Sequence, residues 1–197
     1  MATRASTTTG STILMLLALW AGGVAAASML GLFRPIPGPG IAALVVVGVA
    51  APTFLYFRVR AFQIFMEDYG LRALTLLHAW RIGAALLFFH YGAQGLLPER
   101  FVLHAAWGDL IAGAAALLVV MLPFSRGRYF AMHVFGMADF LLAVGTGLYF
   151  TLVAPQEMDA IRELPLALIP LFGVGISGAT HIIAFDLLRR RRGYPAN

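Results

Sequence analysis

The chain contains no cysteine and no lysine, and its single asparagine is the last residue, Asn197. Without cysteine there is no disulfide framework, no thiol redox centre and no covalent c-type haem attachment. Without lysine, neither a retinal Schiff base nor the lysine of a nucleotide-binding P-loop is available. Because the asparagine is terminal, no N-glycosylation acceptor exists either.

Charge is also scarce, since only 12% of the 197 residues are charged while 60% are hydrophobic. A soluble globular domain carries about a quarter charged residues, so this balance is typical of a membrane protein. No polar stretch is long enough to fold a soluble catalytic domain. We therefore expect a single transmembrane domain over residues 1–197 without identified catalytic residues, and we favour a protein that is not an enzyme over one that is.

Six long apolar segments predict an all-α membrane protein, a bundle of about six transmembrane helices. Each segment has about the twenty residues that a helix needs to cross a bilayer core of about 30 Å. Proline, glycine and arginine mark the breaks between them, including a predicted loop from Arg58 to Arg72. The segments run approximately Thr12–Phe33, Gly40–Phe57, Leu74–Ala93, Ala105–Pro123, Tyr129–Val153 and Leu164–Leu187.

The placement of the arginines predicts that both termini lie in the cytoplasm. In that orientation ten arginines lie on the cytoplasmic side and three on the other, with Arg81 inside a span. The positive-inside rule favours this arrangement clearly. The cytoplasmic set is Arg4, Arg58, Arg60, Arg72, Arg126, Arg128 and Arg189 to Arg192, and the opposite set is Arg34, Arg100 and Arg162.

The two ends of the chain carry further signals. The run Arg189–Arg192 is expected to contact anionic lipid headgroups of the bilayer, and no nucleic-acid partner is expected. Other membrane proteins, or a second copy of the chain, remain candidate partners. Arg4, the apolar run from Ile13 and the small residues Val24–Ala27 resemble a cleavable secretory leader. We favour a first helix that is retained over one that is removed.

Arg81 is the strongest functional signal because a charge in the bilayer core costs several kcal/mol and needs a partner. It cannot easily lose its proton, so we predict a carboxylate within about 4 Å. Asp139 is the first choice by depth and Asp109 the second. The pair would serve either as a substrate or proton site, or as a structural ion pair that locks two helices together.

The histidines raise the question of haem. His78, His133 and His181 are expected at similar depth on three helices, and His90 with His104 would form an outer pair. Two histidines from separate helices commonly ligate b-type haem in membranes. Hydrogen bonding between helices is the favoured interpretation, since His78 and His90 point about 120° apart on an ideal helix. No other metal site is expected.

Four stretches together resemble a family of small bacterial multi-pass membrane proteins of unassigned activity. The resemblance covers about Leu74 to Leu188. It implies a location in a bacterial inner membrane. It also implies one shared polar core, made of Arg81, Asp109, Asp139 and His181, and the other four histidines are not part of the family pattern. The stretches are Arg81; Leu97-Pro98 leading to Gly108-Asp109; Gly136 and Asp139 with Gly145-Thr146-Gly147; and Pro165 and Pro170 followed by His181.

Three functions follow as hypotheses. The first is a small transporter, or a subunit of a membrane complex, whose polar core handles a proton or a small solute. The second is a b-type haem electron-transfer or quinone-reactive protein, and the third is a purely structural subunit. In each case we expect the first two spans to be peripheral, because they carry no deep ionisable residue.

Overall fold

The computed structural model describes residues 2–190, with side chains from residue 10 onward. The side chain of Arg4 and half of the predicted lipid-binding run, Arg191 and Arg192, lie outside this range. Within it the chain forms seven α-helices and no strand. They are α1 (Ala2–Met29), α2 (Gly38–Arg58), α3 (Arg60–Leu77), α4 (Trp80–Ala93), α5 (Glu99–Met121), α6 (Arg126–Val153) and α7 (Val174–Arg190), with a 3-10 helix at Pro155–Arg162 and a π-helical turn at Ile169–Gly173.

Six helical segments in the described part of the chain are long and apolar enough to cross a membrane. This confirms the predicted fold class, a bundle of about six transmembrane helices, and defines a multi-pass membrane protein. The segments are Gly10–Met29, Gly38–Arg58, Arg60–Ala93, Glu99–Met121, Arg126–Val153 and Ile169–Arg190. The last begins five residues later than expected, after a run of turns that contains Pro165.

The predicted loop from Arg58 to Arg72 is wrong. Only Val59 is extended there; α3 begins at Arg60 and bends at Gly70, where φ is +81°. Phe62 and Met66, one helical turn apart, pack on a buried apolar cluster of α2, α3 and α7 residues. The segment carries enough charge to interrupt the hydropathy, but its apolar residues share one face, so tertiary packing holds it as an amphipathic helix.

The last helix, α7, is the centre of the bundle. In an apolar 18-residue stretch of the span Ile169–Arg190, which contains α7, 67% of the residues are buried, compared with 11% in the corresponding stretch of Gly10–Met29. The expectation that the first two spans are both peripheral holds for α1 but not for α2. Gly48 of α2 lies against Gly175 of α7, and a Cβ on Gly175 would come within 2.8 Å of the Gly48 carbonyl oxygen. Small residues at such a crossing let two backbones approach closely without any ionisable side chain.

One end of the bundle, which we name the capped end, is covered by the 3-10 helix Pro155–Arg162. The hydroxyl of Ser28, at the end of α1, donates to the Arg162 carbonyl oxygen at 2.9 Å. Nearby, Arg34 Nε donates to Glu163 Oε1 at 2.7 Å, and this hydrogen bond lowers the pKa of the Glu163 carboxyl. These bonds tie the α1–α2 linker to the segment that follows α6.

We predict that Gly175→Ala lowers the thermal unfolding midpoint in detergent. The added methyl group meets backbone of α2 and cannot be accommodated by a rotamer change, so the helices must separate, at a cost of about 1–3 kcal/mol. Gly83→Ala is the matched control, because no atom lies within 4 Å of a Cβ there. Equal midpoints for the two variants would show that the α2–α7 contact is not tight.

Candidate functional site

The side chain of Arg81 joins three helices in the middle of the bundle. It is 3% exposed, and its Nε donates to Asp109 Oδ1 of α5 at 2.6 Å. Its Nη2 donates to Asp139 Oδ2 of α6, and its Nη1 donates to the Gly136 carbonyl oxygen at 3.3 Å. Both carboxylates named as candidate partners of Arg81 therefore contact it at once, and both aspartates are 7% exposed.

A break between α3 and α4, within the third span, places Arg81 in the middle of the bundle. At His78 and Ala79 the backbone leaves the α-helical pattern, and Arg81 N donates to the His78 carbonyl oxygen at 3.1 Å, three residues back. Such tighter turns inside a helix are frequent at functional positions. The break separates α3 from α4 and sets the direction of both the His78 and the Arg81 side chains.

Two glycines provide the space for this ionic cluster. A Cβ on Gly108 would overlap the Asp139 carboxylate. A Cβ on Gly136 would lie 2.8 Å from His181 Nε2 and 3.6 Å from Arg81 Nη1. His181 Nε2 and Arg81 Nη1 therefore both border the space that Gly136 leaves free.

Three histidines form a second layer beside the ionic cluster. His78, His133 and His181 are each 0% exposed and come from the α3–α4 break, α6 and α7. The His133 and His181 Nδ1 atoms are 2.9 Å apart, and the rings of His78 and His181 stack with centroids 3.9 Å apart. We call this group the histidine cluster.

Two threonines hydrogen bond to the outer nitrogens of this cluster. Thr75 Oγ1 donates to the Leu71 carbonyl oxygen at 2.7 Å, so it accepts from His133 Nε2, 3.0 Å away. Thr180 Oγ1 donates to the Ile176 carbonyl oxygen at 2.8 Å and accepts in the same way from His78 Nε2 at 3.3 Å. A hydroxyl has one proton, so these bonds place the ring protons of His133 and His78 on Nε2.

The histidine hydrogen bonds leave two nitrogens unused. With His133 Nδ1 as an acceptor, His181 Nδ1 is the donor between them, and His181 Nε2 keeps a lone pair. His181 Nε2 and His78 Nδ1 are both buried without a hydrogen-bond partner among the described atoms. Most buried polar atoms in proteins do have a partner, so two bare nitrogens on adjacent rings call for an explanation.

The structure therefore groups the candidate residues differently from the sequence. Arg81, Asp109 and Asp139 are in direct contact, and His181 adjoins them across Gly136. His78 and His133, which the family resemblance leaves out, join His181.

The two outer histidines lie apart from this site. His90 contacts Gln94 at 2.7 Å, and His104 lies 3.4 Å from the Thr146 hydroxyl. Thr75 and Thr180 are not among the residues predicted for this site, because hydroxyls at helical positions carry no distinctive sequence signal.

A haem held by two of the clustered histidines would place their rings on opposite faces of the porphyrin. His78 and His181 instead stack directly on each other, and the other two pairs meet edge to face with centroids 5.5 and 5.1 Å apart. The packing leaves no gap for a macrocycle between the rings in this conformation.

A cavity of about 150 Å³ leads from the capped end to the ionic cluster. Near the capped end it is lined by residues such as Gly38, Thr151 and Met158, and deeper in the bundle it reaches Arg81 and Asp109. Its other walls are mainly apolar, with Trp80 Nε1 donating to Ser177 Oγ at 3.0 Å beside it. Such a cavity, apolar with a few convergent polar groups, is typical of a binding site.

A further polar group lies at the end of the bundle opposite the cap. Tyr56 Oη donates to Asp186 Oδ2 at 2.7 Å, and Arg190 Nε donates to the same oxygen at 2.7 Å. Leu74, Ile183 and Leu187, at most 1% exposed, pack with Tyr56 in one apolar cluster. This apolar layer lies between the histidine cluster and the Tyr56–Asp186 pair.

The fold and site define a helical multi-pass membrane protein with a buried ionic core. Residues 37–189 match the family described as a domain of unknown function, DUF8737, and because the match covers most of the chain, the protein belongs to this family. Comparisons with curated proteins and with solved structures find no match. The family is uncharacterised, as the sequence resemblance implied, and supplies no activity.

We predict that Arg81→Leu strongly destabilises the protein in detergent, by about 3–5 kcal/mol, because two buried carboxylates lose their counter-charge. Thermal unfolding of the purified variant is the measurement. The triple variant Arg81→Leu with Asp109→Asn and Asp139→Asn should recover part of the loss, since no net charge then remains in the core. A triple variant no more stable than Arg81→Leu would argue against the ionic explanation.

We also predict that Gly136→Ala destabilises the bundle and shifts the His181 ring. The methyl group would lie 2.5 Å from His181 Cε1, and the ring has little room to retreat inside the histidine cluster. Gly145→Ala on the same helix is the control, because nothing lies within 4 Å of a Cβ there. Unfolding midpoints and histidine side-chain NMR signals report the two effects, and an unperturbed His181 signal in Gly136→Ala would contradict the packing.

Proposed function

We propose that this protein is a small membrane transporter whose ionic core binds and releases a proton. The observation that carries the proposal is the composition of the core, in which Arg81 faces both Asp109 and Asp139. One guanidinium and two carboxylates leave one negative charge in a buried site.

This excess charge favours proton binding on physical grounds. An uncompensated charge costs several kcal/mol in a low-dielectric interior, and uptake of one proton removes it. Two carboxylates that share one guanidinium need not lose that bond on protonation, since one of them stays ionised beside Arg81. The core therefore has two low-energy states that differ by one proton, which is what a carrier site requires.

The surroundings of the core support access from one side. The cavity connects the capped end to Arg81 and Asp109, so water or a small solute entering there meets the ionic core directly. On the other side Leu74, Ile183 and Leu187 separate the core from the Tyr56–Asp186 pair. Transport across this layer requires a second conformation, and the bend at Gly70 and the break at His78 and Ala79 are the places where the third span can change shape.

The proposal includes an orientation and a location. We place the protein in a bacterial inner membrane with both termini in the cytoplasm, so that the capped end faces outward. The run Arg189–Arg192 would contact anionic lipid at the cytoplasmic surface, and a second copy or another membrane protein would be a partner in the bilayer.

Proton flux into proteoliposomes tests the function. We expect vesicles holding the purified protein and an enclosed pH-sensitive dye to acidify under a potassium diffusion potential faster than empty vesicles. Asp139→Asn removes the excess charge without changing shape, and it should reduce the protein-dependent rate at least tenfold. Glu99→Gln, an exposed carboxylate at the start of α5, is the matched control and should leave the rate unchanged.

The structural-subunit hypothesis makes the opposite prediction for this experiment. Because Arg81 bridges three helices, a purely structural core would give wild-type vesicles no faster acidification than empty ones. That result would overturn the transport proposal. The haem hypothesis is tested separately by the visible spectrum of the purified protein, where a Soret band lost in His181→Ala would support a b-type haem.

A further inference from the structure

We propose that the histidine cluster is a binding site for a divalent first-row transition metal ion, with Zn²⁺ as the ion to test. The inference is independent of the proton function, because it uses His78, His133 and His181 and none of the groups of the ionic core. It goes beyond the expectation, drawn from the sequence, that these histidines only link helices.

The geometry of the cluster is close to that of a three-histidine metal site. One ring nitrogen from each histidine can be chosen so that all three lie within 4.8 Å of one another. Tetrahedral zinc with Zn–N bonds of about 2.0–2.1 Å separates its ligand nitrogens by about 3.3 Å. The His133 and His181 Nδ1 atoms are already 2.9 Å apart, and the His78 ring, which stacks on His181, has to turn so that its lone pair points to the same centre.

The threonines supply the outer support that metal-binding histidines need. A ligating histidine donates its other ring N–H to a fixed acceptor, which sets the tautomer and aims the lone pair at the metal. Thr75 and Thr180 do this for His133 and His78, because each hydroxyl proton is committed to a backbone carbonyl. The Nδ1 atoms of both histidines therefore carry lone pairs, and that of His133 faces His181 Nδ1.

Hydrogen bonding alone does not account for the cluster. It satisfies His133 fully but leaves His78 Nδ1 and His181 Nε2 bare in rings that are 0% exposed. A bound cation would use the His78 Nδ1 lone pair directly. It would also take the place of the proton on His181 Nδ1, and that proton would move to His181 Nε2, so that the ring stays a neutral ligand. The site then has three imidazole ligands and a fourth position for water or another ligand, as in zinc sites that keep one position open.

Ligand chemistry and charge indicate the class of ion. The cluster offers only imidazole nitrogens, which suit zinc, copper and nickel and do not suit magnesium or calcium. Arg81 lies nearby, but Asp109 and Asp139 are paired with it, so its positive charge is offset within the ionic core.

Metal analysis of the full-length protein in detergent tests the site. After removal of metal with a chelator and dialysis against Zn²⁺, we expect one bound equivalent per chain. We expect a stoichiometry near zero for His133→Ala and His181→Ala, and an unchanged one for His90→Ala and His104→Ala, whose histidines lie elsewhere. Co²⁺ as a second probe should give the visible absorption of a low-coordinate nitrogen site, lost in the same two variants.

Thr75→Val covers the case in which the alanine variants do not fold. It keeps the shape of the side chain and all three ligands but removes the acceptor for His133 Nε2, so Zn²⁺ affinity should fall by about 10–100-fold. Asp139→Asn should still bind Zn²⁺, which separates this site from the proton proposal. Three results would each overturn the inference. They are a wild-type protein that retains no Zn²⁺, Zn²⁺ binding that persists in His133→Ala, and a Zn²⁺ affinity that is unchanged in Thr75→Val.

Discussion

The guanidinium of Arg81 is the constraint on which the rest of the bundle depends. A permanent cation in a bilayer core must be matched by fixed acceptors, because the surrounding lipid provides none. Here the acceptors come from α5 and α6, so the third, fourth and fifth spans can be assembled in only one register around it. The second aspartate gives Arg81 a carboxylate partner on each of two helices.

Close approach of the helices makes that interaction possible. Gly108 and Gly136 leave space for the Asp139 carboxylate and the His181 ring, and Gly48 and Gly175 bring α2 against α7. In a membrane, helix association depends on packing of this kind, since burial of apolar side chains gains little against lipid tails. The glycines therefore place the charged and aromatic groups within contact distance, although they carry no chemistry themselves.

Along the bundle, the polar groups form layers with different chemistry. From the capped end these are the apolar cavity, the ionic core and the histidine cluster, then the apolar cluster around Leu74 and the Tyr56–Asp186 pair. Arg81 and Asp109 of the ionic core line the cavity, where we propose that the core exchanges a proton. The histidine cluster is fully buried and contacts two threonines, and it is the site at which we propose that a metal ion binds.

The sequence by itself determined the fold class, six spans and the importance of Arg81, because length, hydropathy and the cost of a buried charge are local properties. It also limited the partners of Arg81 to Asp139 and Asp109, which share its depth. It mistook the amphipathic start of α3 for a loop, since charge count alone does not show which face is buried.

Tertiary structure decided everything that depends on rotation about the helix axes. Only the packed bundle shows that both aspartates reach Arg81, that His78 and His133 join His181, and that two threonines fix their protons. It also places α2 against the central helix through a glycine contact that carries no charge. Depth in the membrane follows from position in the sequence, but the face that a side chain presents is set by which helices pack together and how closely.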